Sequence, residues 1–205
     1  MARICIFGDS ITSDELYLGY DNWVTKLRKY IGKDGKNSII NLGIVGETTK
    51  GLIERIDVES KAREPDIIII KIGENDSRFN NMTEYSVETS ITNFENNIHK
   101  IINICRKYTQ KIIFIGNLPT NESKTMPTIW SDTEYFTNKS LKKYDKIIKS
   151  VCEKKRIFFL ELFDNWIKKD YKKLLDKKDG LHPNAKGYEE IFKSVKNFLI
   201  KNKII

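Results

Sequence analysis

Five short apolar runs recur along the chain, separated by longer stretches in which apolar and polar positions alternate with a helical period. The runs are rich in isoleucine and phenylalanine and too short for helices, so they predict β-strands. Their apolar residues are consecutive, which is typical of parallel strands covered on both faces. The predicted strands are residues 4–7, 38–42, 66–72, 111–115 and 157–160.

The stretches between these runs carry apolar residues at spacings of three and four, which predicts amphipathic helices with one face in the core. The predicted helices are residues 23–31, 48–62, 87–108, 138–152 and 185–200. This strand–helix alternation indicates an α/β fold around a parallel central sheet of about five strands. No linker or repeat divides the sequence, so residues 1–205 are expected to form a single domain.

The least regular stretch is residues 118–135, which contains Pro119, Pro127 and Trp130. It predicts a long loop or lid over one end of the sheet. Together with residues 13–20 and 77–85, it is a candidate for setting substrate specificity. Apolar residues available to line a pocket there are Tyr17, Phe79, Met82, Met126 and Trp130.

Composition excludes several other classes of protein. Hydrophobic residues make up 40% of the 205 positions and charged residues 31%, as in a globular chain rather than a disordered one. The net charge of +8 is dispersed rather than concentrated in one basic stripe, which argues against nucleic-acid binding. The three cysteines have no CxxC spacing, and no metal-ligand cluster or phosphate-binding glycine loop is present, so no metal or cofactor is expected. Without a leader-like apolar segment or a run of about 20 apolar residues, we expect a cytoplasmic protein that does not span a membrane.

Polar loops follow the predicted strands, at the sheet edge where α/β folds place their binding sites. Residues 8–12 (Gly-Asp-Ser-Ile-Thr), 41–46 (Asn-Leu-Gly-Ile-Val-Gly) and 73–76 (Gly-Glu-Asn-Asp) follow the first three strands. Residues 179–184 (Asp-Gly-Leu-His-Pro-Asn) precede the last helix. These loops are therefore expected to converge on one site.

The chain contains two histidines, and only one of them lies in these loops. His99 falls within a predicted helix beside its apolar stripe, where a structural or surface role is expected, whereas His182 lies in a loop three residues after Asp179. An imidazole can exchange a proton near neutral pH, and a neighbouring carboxylate can orient it. Taken singly, Ser10 could be a helix cap and Asp179 a turn residue; the joint occurrence of the four loops favours a catalytic site.

The four loops, in this order, resemble the conserved blocks of the SGNH hydrolase superfamily, the GDSL-like lipases and acylhydrolases. The resemblance spans nearly the whole chain and implies a flavodoxin-like three-layer α/β/α fold. It also implies an esterase that uses Ser10 as nucleophile, His182 as general base and Asp179 as the residue that orients His182. The implied oxyanion hole consists of the N–H groups of Ser10 and Gly46 and the side-chain amide of Asn75.

The resemblance leaves the substrate open among lipid, aryl and sugar O-acyl esters, and thioesters. Two alternatives to an esterase are a non-catalytic binding domain on the same fold and a basic nucleic-acid-binding protein. The first would be expected to lack a serine, histidine or oxyanion asparagine, and this sequence keeps all three. A flavodoxin-like nucleotide binder is a third alternative, but Asp9 would repel a phosphate in the loop at residues 8–10.

Overall fold

The computed structural model describes residues 2–15, 19–32, 37–81 and 86–205. Its centre is a five-stranded parallel sheet in the order β2-β1-β3-β6-β7, flanked by helices on both faces, as predicted. In chain order the strands are β1 (Ala2–Gly8), β2 (Asn37–Gly43), β3 (Ile67–Lys71), β4 (Phe79–Asn81), β5 (Ser86–Val87), β6 (Ile112–Ile115) and β7 (Phe158–Leu160). The helices are α1 (Trp23–Ile31), α2 (Thr49–Arg63), α3 (Ile91–Cys105), α4 (Glu122–Thr125), α5 (Asn138–Lys155), α6 (Phe163–Ile167) and α7 (Ala185–Lys201).

Two hydrophobic clusters, one on each face of the sheet, hold the three layers together. Alternate side chains of strand β3 belong to one cluster or the other. Ile67 and Ile69 point to the cluster formed with α1 and α7, while Ile68 and Ile70 point to the cluster formed with α2, α3 and α5. All four isoleucines are fully buried. Because successive side chains of a strand point to opposite faces, a continuous apolar run is what a sheet covered on both sides requires.

The predicted helix at 87–108 is wrong at its start. Val87 belongs to β5, which pairs antiparallel with β4 in a small hairpin, and α3 begins only at Ile91. Ser90 caps α3 by accepting a hydrogen bond from the Asn93 N–H at 3.4 Å. The apolar spacing alone did not reveal this hairpin, since its strands are only three and two residues long.

The order of strands determines where a site can form. The chain runs from β1 outward to β2 and then returns to β3 on the other side of β1, so the loops after β1 and β3 lie on either side of a topological switch point. Open α/β sheets bind ligands in the crevice at such points, at the carboxyl ends of the strands. No helix in the described ranges is long and apolar enough to cross a membrane.

Candidate active site

Ser10 lies in a tight turn directly after β1. The Asp9 carbonyl accepts hydrogen bonds from the N–H groups of Thr12 and Ser13, both at 3.0 Å, which closes the turn. At Gly8 a Cβ atom would lie 2.5 Å from the Lys71 carbonyl, so only glycine fits where β1 passes β3. The turn leaves Ser10 only 8% exposed, with its hydroxyl directed at the His182 loop.

A continuous hydrogen-bonded chain joins three of the predicted site residues. The Ser10 Oγ lies 2.8 Å from His182 Nε2, and His182 Nδ1 lies 2.8 Å from Asp179 Oδ2. The structure therefore brings together a serine and a histidine that are 172 positions apart in the sequence. His99, by contrast, lies within α3.

Asp179 is held in place by the loop that carries His182. Its Oδ1 accepts hydrogen bonds from the backbone N–H groups of Leu181 at 2.8 Å and His182 at 2.9 Å, which leaves Oδ2 facing the imidazole. Burial raises the pKa of Asp179, but the hydrogen bond and charge of His182 and the two backbone N–H groups outweigh burial and hold that pKa below its usual value. The aspartate is therefore ionised near neutral pH and can stabilise an imidazolium.

The predicted oxyanion donors lie around the Ser10 turn. The N–H groups of Ser10 and Gly46 donate to no acceptor within the described ranges, so both remain available to a ligand. Gly46 has a φ of +77°, a conformation that side-chain-bearing residues rarely adopt, and the Ile44 N–H anchors its loop to the Gly8 carbonyl at 2.9 Å. Asn75 is 7% exposed, and its Nδ2 donates to the Glu47 carbonyl at 2.9 Å.

Asp76, the residue after Asn75, binds the backbone at the start of helix α2. Its carboxylate accepts hydrogen bonds from the Thr49 N–H at 3.0 and 3.1 Å and from the Thr49 hydroxyl at 2.5 Å, at the start of α2. Burial raises the pKa of Asp76 to about 6, although the Thr49 hydrogen bonds lower it.

Trp130, one of the predicted pocket-lining residues, lies in ring contact with His182. The two ring centroids are 6.1 Å apart with an interplanar angle of 49°, and Trp130 is 48% exposed. Its indole N–H donates to Glu134 at 2.7 Å, which orients the ring. Two of the other pocket-lining candidates, Tyr17 and Met82, lie outside the described residues.

A buried ion pair near the site, which joins Lys71 to Glu74 of the 73–76 loop, was missed at the sequence level. Lys71 ends the apolar strand β3 with a fully buried side chain, and it is paired with Glu74, which is 2% exposed. A lysine that directly continues four isoleucines was the available signal, because a buried lysine requires an anionic partner.

Comparison with known proteins identifies the family of the chain. The sequence matches the model of the GDSL-like lipase/acylhydrolase family over residues 6–190. A GDSL esterase/lipase of Arabidopsis thaliana, CPRD49, is 25% identical over 195 residues, which cover 90% of this chain and 73% of that protein.

Solved structures share the fold. A lipase/acylhydrolase from Enterococcus faecalis superposes with a TM-score of 0.78 at 21% identity, covering 97% of this chain and 95% of the other. A single-residue variant of the acetyl xylan esterase Axe2 from Geobacillus stearothermophilus superposes with a TM-score of 0.72 at 18% identity, covering 97% of this chain and 94% of the other. From the family match over most of its length, the chain belongs to the GDSL-like lipase/acylhydrolase family of serine ester hydrolases.

Proposed function

We propose that the protein hydrolyses a carboxylic ester through an acyl-enzyme intermediate formed on Ser10, with His182 as the general base and Asp179 as the residue that orients it. The observation that carries this proposal is the chain of two 2.8 Å hydrogen bonds from Ser10 Oγ through the imidazole to Asp179. A serine hydroxyl is a weak nucleophile unless an adjacent base removes its proton.

In the first half of the reaction, Ser10 Oγ attacks the ester carbonyl while its proton passes to His182 Nε2. The C–O bond to the alcohol then breaks, and the imidazolium returns the proton to the leaving oxygen. In the second half, a water molecule attacks the acyl-serine and its proton passes to His182. The bond from the acyl carbon to Ser10 Oγ then breaks, the imidazolium returns the proton to Ser10 Oγ, and the carboxylic acid leaves. The ionised Asp179 stabilises the imidazolium in both halves.

The tetrahedral intermediate of each half carries a negatively charged oxygen. The free N–H groups of Ser10 and Gly46 are proposed to bind it together with the second Nδ2 hydrogen of Asn75, since only one of the two is engaged with Glu47. Preorganised donors of this kind are often the largest single contribution to the rate.

The comparison with Axe2 supports these roles. Single variants of a serine, an aspartate and a histidine of that enzyme are described as catalytic mutants. In that enzyme the aspartate precedes the histidine by three positions, as Asp179 precedes His182.

Turnover of p-nitrophenyl esters from acetate to palmitate by the wild type and Ser10→Ala tests the proposal. We expect the wild type to be active and Ser10→Ala to lose at least about 10³-fold in kcat, since nucleophile removal in serine hydrolases costs this or more. The chain-length profile would then measure the acyl pocket. If the wild type cleaves none of these esters, a fluorophosphonate probe is applied, and an absence of labelling at Ser10 would refute the proposal.

A second proposal concerns the alcohol part of the ester and is supported by the position of Trp130. His182 must protonate the leaving oxygen, so the alcohol leaves on the His182 side, where Trp130 presents an exposed ring. We propose that this ring packs against a flat apolar face of the alcohol, as an aryl group or a sugar ring provides.

Trp130→Ala is therefore expected to raise KM for aryl acetates several-fold and to leave KM for ethyl acetate nearly unchanged. Trp130→Phe serves as the matched control, because it keeps an aromatic face while it removes the indole N–H that donates to Glu134 and shortens the ring system. Equal effects of Trp130→Ala on both kinds of ester would contradict a role in alcohol recognition.

A further inference from the structure

Beneath the loops that carry Ser10 and Asn75 lies a cluster of three ionisable side chains that the proposed reaction does not use. Asp9 and Lys71 are 0% exposed and Glu74 is 2% exposed, so the cluster is almost completely shielded from water. It contains two carboxyl groups and one ammonium group. Burying unbalanced charge costs free energy, so the stability of the fold depends on the protonation state of the cluster.

Two of the four carboxyl oxygens accept hydrogen bonds from identified donors. Asp9 Oδ1 accepts a hydrogen bond from the Ile11 N–H at 2.9 Å. Glu74 Oε1 accepts from the Lys71 ammonium group and, at 3.2 Å, from the Leu118 N–H. The remaining oxygens, Asp9 Oδ2 and Glu74 Oε2, are buried and receive no donor from the described residues.

Asp9 lies close enough to Glu74 for the negative charge of Glu74 to raise the pKa of Asp9, so two neighbouring carboxyl groups each have one buried oxygen without a donor. Two carboxylates cannot donate to one another, whereas a proton on one of them would supply the donor that both buried oxygens lack. With one proton, the cluster holds one carboxylate and one ammonium ion and is electrically neutral.

We propose that Asp9 and Glu74 share a single proton near neutral pH, and that this proton joins the nucleophile turn to the Asn75 loop as a positioning device for the active site. Asp9 directly precedes Ser10, and Glu74 directly precedes Asn75. The bond to the Leu118 N–H extends the connection to the start of the 118–135 segment, which carries Trp130. The inference of a positioning role rests on the proposed roles of Ser10 and Asn75.

The surroundings favour Asp9 as the group that holds the proton. Burial and the negative charge of Glu74 raise the pKa of Asp9 well above its usual value, and the charge of Lys71 only partly offsets this. A neutral Asp9 also suits the proposed reaction. A carboxylate beside Ser10 would repel the negative charge that develops in the oxyanion hole.

Amide substitutions test the shared proton, since an amide mimics a protonated carboxyl group of the same shape. In Asp9→Asn the new amide donates to Glu74, and in Glu74→Gln the new amide donates to an ionised Asp9. Each single variant keeps one negative charge beside Lys71 and keeps the bridge, so we expect kcat to fall less than about tenfold.

The double variant D9N/E74Q is expected to behave differently. Both positions then carry neutral amides, so no carboxylate remains in the cluster and the buried Lys71 ammonium group loses its counter-ion. We expect kcat to fall on the order of 10²-fold, as for loss of an oxyanion donor, with a smaller change in KM. The fall should clearly exceed the product of the two single effects.

Infrared difference spectroscopy detects the proton without relying on activity. At about pH 8, roughly two units above the pKa values of Asp76 and Asp145, those two buried carboxyl groups are ionised. We expect the wild type to show the carbonyl stretch of a buried protonated carboxylic acid, and either single variant to lose it. Asp145→Asn is the matched control, because it removes another fully buried carboxyl group and should leave the band in place.

Each result of these experiments either supports or overturns the shared proton. A wild-type band lost in both single variants, with a more than multiplicative fall of kcat in the double variant, supports the proposal. Absence of the band from the wild type, or a double variant whose effect equals the product of the single effects, would overturn it. If the double variant does not fold, the spectra of the single variants still decide the protonation state. Failure of Ser10 labelling would refute the esterase mechanism and leave the spectra unaffected.

Discussion

At the scale of single residues, the proposed oxyanion hole depends on how each donor is already engaged. Asn75 uses one Nδ2 hydrogen to hold the Glu47 carbonyl, which follows Gly46 in the chain. Arg55 holds the side chain of the same glutamate, so the loop that presents the Gly46 N–H is fixed from two directions. Asn75 is therefore proposed both to donate to the substrate and to position a second donor.

Asn75→Ala is expected to lower kcat by about 10²–10³-fold with a smaller effect on KM, because oxyanion contacts strengthen only in the transition state. Steady-state hydrolysis of p-nitrophenyl acetate measures both constants.

The matched control is Asn117→Ala. Asn117 is also buried, and its Nδ2 also donates to a backbone carbonyl, that of Leu141 at 3.2 Å. Its loss should lower the free energy of unfolding and leave kcat within a few-fold of the wild type. Equal losses of kcat in both variants would mean that Asn75 acts only through stability.

At the scale of secondary-structure elements, the first turn of helix α2 is capped by a residue from outside the helix. Thr48 occupies the N-cap position, yet its side chain caps no N–H group among the described residues. Asp76, which follows β3, accepts the Thr49 N–H and hydroxyl instead. A cap supplied from another element ties the start of α2 to the Asn75 loop.

Asp76→Ala is expected to reduce the free energy of unfolding by about 2 kcal/mol, because it leaves buried donors of Thr49 without an acceptor. Thr48→Ala, one position before Thr49, should change it by less than about 0.5 kcal/mol. Urea denaturation of the two variants checks this, and similar losses in both would indicate that Thr48 caps the helix.

At the scale of the whole molecule, buried carboxyl groups make stability depend on pH. Asp145 of α5 is fully buried, accepts the Asn117 N–H at 3.1 Å and pairs with Lys142 at 3.2 Å. Burial and the charge of Glu161 raise its pKa to about 6, against the opposing effect of Lys142. A raised pKa in the folded state means that folding takes up a proton between about pH 4 and 6, so stability from this group falls as the pH rises through that window.

Asp145→Asn removes this titration. A shift of about two units corresponds to roughly 3 kcal/mol, so the variant should gain up to that amount relative to the wild type between about pH 4 and 7. Urea denaturation at several pH values measures the difference.

Asp164→Asn is the control, since Asp164 pairs with the same lysine at 2.7 Å but its pKa is lowered by that hydrogen bond. Its contribution to stability should be lost as the pH falls. Unfolding curves of Asp145→Asn that stay parallel to those of the wild type over the whole range would contradict the assignment.

The sequence alone predicted the helices and strands whose apolar pattern matches the burial of their residues in the fold. The bounds of α1 are those predicted, and each of the five predicted sheet strands lies within two residues of the observed bounds. The β4–β5 hairpin was missed, because strands of two and three residues have no periodicity to detect. The short helix α4 inside the predicted loop at 118–135 was missed for the same reason.

By itself the sequence determined the α/β class, the order of the elements and the candidate site residues, because apolar periodicity and loop motifs are local properties of a chain. Only the tertiary structure decided the contacts that link distant positions. Three features depend on how the parallel strands are ordered in the sheet. They are the 2.8 Å approach of Ser10 to His182, the placing of Trp130 beside that histidine, and the burial of Asp9 together with the Lys71–Glu74 ion pair. That order results from packing both faces of the sheet at once, which no single segment of the sequence encodes.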